Sequence, residues 1–285
     1  MTPETLKILE HKFLDYADRY ISQSPNLSPL VLKKEHTIRV CGEIESLVKD
    51  IMQDSSFSYL SDPSEQNFSL SNFSSVNSQR PDLLARAMAL FHDIGRFRQF
   101  QTYKTFLDHK SANHAGLSII EIDAHNMLSI CSERERELIK GAIAVHNAAV
   151  IPQIEDKELT FFMRLLRDAD KLDIWRVVID NYLSPDPESK DAINLGLQDY
   201  GKCSSEALQS ILNHTYVKIN SVKELNDLKL MQISWVFDLN FSNSIRRVKE
   251  RGYAAQLIST LSIQKKSDEL NNAIKCVHEY IKKNS

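Results

Sequence analysis

Glycine and proline are both scarce in this chain, at seven and eight residues of 285. A turn-rich β fold needs more of both, so their scarcity favours long helices. Cysteine is scarcer still. Cys41, Cys131, Cys203 and Cys276 lie far apart and form no C-x-x-C pair, which excludes a disulfide framework and fits free thiols in a reducing compartment. No apolar run approaches membrane-spanning length, and Met1-Thr2-Pro3-Glu4-Thr5-Leu6-Lys7 lacks an apolar signal region, so the expectation is a cytoplasmic protein with no membrane partner. Charge of one sign is also lacking. A net −3 offers no general attraction to nucleic acid, so no extended nucleic-acid surface is expected, and an anionic substrate must be met by local positive charge.

What is present is ordinary globular material: 42% hydrophobic and 26% charged residues, enough to bury a full core. The fold class expected is all-α, with residues 1–285 forming a single helical domain. Apolar spacing predicts helices over 4–21 (Leu6, Leu9, Phe13, Tyr16, Tyr20) and about 31–51 (Val40, Ile44, Leu47, Ile51). Residues 54–79 are rich in serine and asparagine and read as a loop or insertion shielding a cleft. Pro81 suits the first turn of an apolar helix whose last turn carries His92 and Asp93. Gly95 is expected to end that helix in a left-handed conformation, with 96–104 as a basic and aromatic connection. Further helices are expected from Ser111, as N-cap, to about Asn126, from about Ser132 to His146, and from Lys157 to Leu183. Residues 204–214, 222–239, 242–262 and 267–283 have helical periodicity and little chemistry.

Several polar residues interrupt apolar helical faces: His36, His92 with Asp93, His114, His146 and Asp170. Each alone has a dull explanation, such as a core histidine with backbone partners. Asp170 is the sharpest anomaly, four residues from Leu166 and four from Ile174 on the buried face of its helix. A bare carboxylate there would cost several kcal/mol, so it needs a cation or a set of donors. Asp168 and Asp173 read as solvated or paired along the helix, with Asp173 in reserve. Five helices each placing an imidazole or carboxylate on a buried face point together to one divalent cation. Imidazole and carboxylate without thiolate suit iron, manganese, cobalt, nickel or zinc; magnesium would prefer more oxygen.

The order His … His-Asp … Asp resembles the HD-domain superfamily of metal-dependent phosphohydrolases, and His92-Asp93-Ile94-Gly95 matches that family's commonest core wording. The resemblance spans about His36 to Asp173. It implies an HD-like helical bundle, with a catalytic core of about 28–185 and a C-terminal helical extension of about 190–285. It makes His36, His92, Asp93 and Asp170 the ligands of a first metal. His114 and His146 resemble the extra ligands of members that hold a second metal, with Asp93 bridging; in single-metal members such histidines serve as acids or phosphate contacts. The Gly-Tyr-Pro signature of the cyclic di-GMP branch does not occur here, which speaks against that substrate.

The chemistry implied is hydrolysis at phosphorus, of a phosphomonoester or phosphodiester in a nucleotide or related small molecule. Asp93, His114 and His146 would be the catalytic residues, with one or two divalent ions activating water. Negative charge developing on phosphate needs fixed positive partners. Arg96 and Lys171, beside ligands in sequence, are the first candidates to bind substrate, followed by Lys104 in the next loop; Arg98 is a weaker one. Two other readings remain: a di-iron oxygenase of the HD-like type, and a non-catalytic ligand-binding module.

Overall fold

The computed structural model describes residues 1–54, 80–186, 194–263 and 267–285. The expected serine-rich insertion therefore lies almost wholly outside the described residues. The chain is all-helical, with no strand among the described residues, and divides into two compact units at Asp170/Lys171. Among the described residues no helix is long and apolar enough to cross a membrane.

The first unit contains α1 (Pro3–Gln23), α2 (Ser28–Gln53), α3 (Pro81–Phe91), α4 (Gly95–Tyr103), α5 (His114–Ala124), α6 (Glu133–Val145) and the first half of α7 (Lys157–Leu183). Local sequence explains the starts. Thr2 and Ser132 cap α1 and α6, the latter through a full capping box with Glu135, and prolines open α1, α2 and α3. The α3 helix is the centre of the unit: nine of its eleven residues are buried, and it packs on α1, α2 and α6. Phe13 of α1 meets Phe91 and Phe97 edge-on, at centroid distances of 6.5 and 6.2 Å. Pairs of this kind add about 0.5–1.5 kcal/mol each beyond their burial.

Four expectations about this unit need correction. Gly95 is not left-handed and does not end a helix; it opens α4, so 96–103 is helical instead of a connection. His92 and Asp93 lie in the turn between α3 and α4, just past the last turn of α3. The cap of α5 is Asn113, whose side chain accepts from the Gly116 amide, and Ser111 instead ends a short 3-10 turn over Asp108–Lys110. Asp168 is fully buried, and so are its neighbours Arg167 and Ala169. Over residues 161–169 only Arg164 is not buried, so this stretch of α7 has almost no solvent face to which a stripe argument could assign Asp168.

The second unit runs from Lys171 through the rest of α7 to α8 (Ser205–Leu212), α9 (Leu225–Ser234), α10 (Ser242–Glu250), α11 (Tyr253–Ser259) and α12 (Asp268–Asn284). Its anchor is Trp175, 1% exposed, whose indole N–H donates to the Gln232 carbonyl and whose ring lies against Trp235 and Tyr253. The helix expected over 242–262 is broken in two at Gly252, which takes φ +66°. Asp173, read as solvated or paired along the helix and held in reserve, is buried in this unit at 4% exposure.

Candidate metal centre

Six side chains from five helical segments of the first unit meet inside it. His36 comes from the middle of α2. His92 and Asp93 come from the α3–α4 turn, His114 from the first residue of α5, His146 from the residue closing α6, and Asp170 from α7. All the residues that were expected to ligate a metal are thus brought together. Three groups of them could hold an ion: His36, His92 and Asp93; His92, His146 and Asp170; and Asp93, His114 and His146, with the ligating atoms of each group within 4.8 Å of one another.

Asp93 is the hinge of the arrangement. Its Oδ2 lies 3.8 Å from Nε2 of both His36 and His92, while its Oδ1 lies 3.5 Å from Nε2 of His114 and 3.9 Å from Nε2 of His146. Asp170 Oδ1 completes the first side, 3.1 Å from His36 Nε2 and 3.6 Å from His92 Nε2. Two ligands each about 2.1 Å from one ion stand roughly 3–4 Å apart, which is the spacing found.

The far side of each ring explains why these nitrogens point inward. Nδ1 of His92 donates to the Ala89 carbonyl at 2.6 Å, and Nδ1 of His146 to the Ile143 carbonyl at 2.8 Å. Nδ1 of His114 donates to Asp108 Oδ2 at 2.6 Å. With Nδ1 carrying the proton, Nε2 presents a lone pair to the centre, the tautomer that metal ligation requires. Nε2 of His114 and of His146 are then only 3.0 Å apart, two lone pairs facing each other. Nε2 of His92, Oδ1 of Asp93 and Oδ1 of Asp170 are buried and make no well-formed hydrogen bond among the described residues. Buried polar atoms left so are costly, and here they converge.

The electrostatics carry the same message. Burial pushes the Asp93 carboxyl up, but Lys33, His92, Arg96 and His114 together outweigh it and hold Asp93 well below the usual carboxylate range. Burial likewise raises Asp170, and His36 and His92 bring it well below. Burial lowers His92, yet Asp93 and Asp170 raise it on balance. Burial, with His114 and His92 adding to it, pushes His146 down to about 3.

Several residues that serve this centre carry no periodic signal. Lys33, one turn before His36, donates to Asp93 Oδ2 at 2.9 Å. Asp108 sits in the 3-10 turn before α5 and bridges His114 and Arg96. Asn147 donates to Asp108 Oδ2 at 3.2 Å. Arg167, 4% exposed, donates to the carbonyls of His146 and Ala148 and so fixes the turn that delivers His146. Only Lys33 had a usable signal, a cation one helical turn from a candidate ligand.

The expected substrate-binding cations are distributed differently. Arg96 is at the centre, its Nε 3.4 Å from Asp93 Oδ1. Lys104 is exposed, ends α4 at φ 56°, and donates to the Gln101 carbonyl. Lys171 pairs with Asp238 at 2.9 Å within the second unit. Arg98 pairs with Glu121, which also accepts from Tyr16 and faces His125. Compared with protein-family models, with curated proteins and with solved structures, the chain matches none.

Proposed function

We propose that this centre holds a divalent cation and that the protein is a metal-dependent phosphohydrolase of HD type, acting on a small phosphorylated molecule such as a nucleotide. One observation carries the reading: three buried atoms without hydrogen bonds, from His92, Asp93 and Asp170, converge beside imidazoles whose inward lone pairs have no common donor. His36, His92, Asp93 and Asp170 would hold the ion. Bound there, it would supply Lewis acidity and lower the pKa of a coordinated water from about 15.7 toward 7.

The chain's own residues would do the rest. Lys33, 19% exposed, and Arg96, 14% exposed, put one movable and one anchored positive charge beside Asp93, where an anionic phosphate would need them. His114 is held in one tautomer by Asp108 and presents Nε2 to the same space, so it can accept or return a proton at that atom. Phe106 lies against both cations, 5.7 Å from Lys33 and 5.9 Å from Arg96, and limits where their heads can go.

The test is metal content of freshly purified protein together with phosphate release from a nucleotide panel, comparing wild type with Asp93→Asn. Bound metal and release abolished by the substitution support the reading. Absence of metal, or turnover indifferent to Asp93, refutes it. Oxygen uptake with an iron-dependent optical band would instead indicate the di-iron oxygenase.

A further inference from the structure

We infer that Arg96 is the resident cation of the His114–His146 half of the centre, so that the protein takes one divalent ion where its ligands offer places for two. The inference rests on the reading of the centre as a metal site and concerns how many ions that site accepts.

The two faces of Asp93 are each met by a cation of the chain, but not in the same way. On the Oδ2 face, Lys33 makes a single hydrogen bond and otherwise lies over Phe106. A partly exposed ammonium on a four-carbon stem can leave Oδ2 at little cost. On the Oδ1 face, Arg96 is anchored. Its Nη1 donates to Gln99 Oε1, to the Phe106 carbonyl and to Asp108 Oδ1, and its Nη2 lies 3.3 Å from His114 Nε2. Gln99 is itself fully buried and donates to Asp108, Ser111 and Ala112, all at 2.9 Å. The guanidinium cannot swing out without breaking that loop apart.

Arg96 Nη2 therefore points at the lone pair a second ion would use, and Arg96 Nε faces the carboxylate oxygen such an ion would share. Charge separates the halves further. The His36–His92 half has two carboxylates, Asp93 and Asp170. Among the described residues the His114–His146 half turns only the far oxygen of Asp93 to the site, already facing a positive charge; Asp108 lies behind His114, on Nδ1, where its carboxylate pairs with Arg96 and not with an ion beside Nε2. A divalent ion placed there would sit within a few ångströms of that guanidinium charge. One ion with Lys33 and Arg96 leaves the centre slightly positive, the state suited to a phosphate; two ions would leave it strongly so.

The experiment uses the full chain, stripped with chelator, reloaded with manganese and dialysed. Metal per chain is counted by mass spectrometry, and the wild-type manganese resonance is recorded. The expected result is one ion per chain in wild type with an isolated six-line signal, two per chain in Arg96→Met, and a return to one in Arg96→Met combined with His146→Ala. Arg96→Lys should stay at one. Two exchange-coupled ions in wild type would overturn the inference without needing any variant. So would one ion in an Arg96→Met protein whose circular dichroism matches wild type. No ion bound by wild type at all would be a different failure, that of the metal centre itself.

Discussion

Gly95→Ala isolates the contact on which the geometry of the centre depends. A methyl group at position 95 would meet the Ser118 amide nitrogen at 2.4 Å, the His114 carbonyl oxygen at 2.6 Å and the Leu117 carbonyl carbon at 2.7 Å. All three are backbone atoms of α5, so no side chain can turn aside. Reaching an ordinary contact of 3.4 Å from 2.4 Å requires α4 and α5 to separate by 1.0 Å, the difference of those two distances. The separation also breaks a relay, since the Gly95 amide donates to Ser118 Oγ and Ser118 Oγ donates to the His92 carbonyl. Overpacking costs about 1–3 kcal/mol and occasionally more, and three immovable neighbours place this case at the top of that range. A loss of about 3 kcal/mol lowers Tm by roughly 6–12 °C in a protein of this size class. Because sites tolerate only about 0.5 Å of misplacement, metal affinity should fall as well. Gly116→Ala is the internal control: its nearest neighbour would be Oδ1 of Asn113, the cap of its own helix, at 3.8 Å. That change should be neutral or stabilising by about 0.5–1 kcal/mol, as alanine in a helix usually is. Thermal melts and metal counts on both variants decide the matter. A Gly95→Ala protein melting within a degree of wild type would mean that α4 and α5 do not touch there.

Three further outcomes are expected. Adding 1 mM manganese to chelated protein with a Kd of about 1 μM should stabilise it by about 4 kcal/mol, a rise lost in His92→Ala and kept in His125→Ala, as calorimetry or melting curves would reveal. Burial raises the Asp108 carboxyl, but His114, Gln99 and Arg96 outweigh it and leave it depressed; such a group contributes stability above the ordinary carboxylate pKa of about 3.9, lost as pH falls through the folded value. Urea midpoints should therefore fall less steeply below pH 4 in Asp108→Asn than in wild type. Arg167→Met deprives the His146 and Ala148 carbonyls of their donor and should cost about 1–3 kcal/mol in denaturant titrations, with weakened metal binding; unchanged binding would separate that turn from the centre.

The candidate ligands were legible because each violates a local pattern. A histidine on the apolar stripe of α2, or an aspartate on that of α7, contradicts the burial its neighbours demand, and periodicity alone exposes the conflict. Helix existence was legible for the same reason in α1 to α3 and α5 to α7, whereas α4 was expected as a connection. Residues that position the ligands violate nothing local. Asp108 lies in a 3-10 turn where an aspartate is unremarkable, and Arg167 sits on a stretch of α7 buried almost all round, so neither differs in sequence from an ordinary solvated residue. Gly95 shows the limit most clearly. A glycine after a helical run suggests a left-handed cap, but its actual constraint is the backbone of α5, at His114, Leu117 and Ser118, which no local pattern records.

The centre also explains how the fold can stand without an ion. Small zinc domains are unfolded without their metal because the ligands carry the folding energy. Here the ligands stand on helices that bury Leu9, Phe13, Ile44, Met88, Phe91, Phe97 and Phe162 almost completely. Asp93 is already compensated on one face by Lys33 and on the other by Arg96, and His36 and His92 hold the Asp170 carboxyl well below the usual carboxylate range. Stripping the ion should therefore leave a folded and reloadable protein, with loss of structure confined to variants that remove those stand-in charges. Lys33→Met tests this most directly. It should bind metal at least as tightly as wild type, because a competitor for Oδ2 is gone, yet should unfold more readily than wild type when both are stripped.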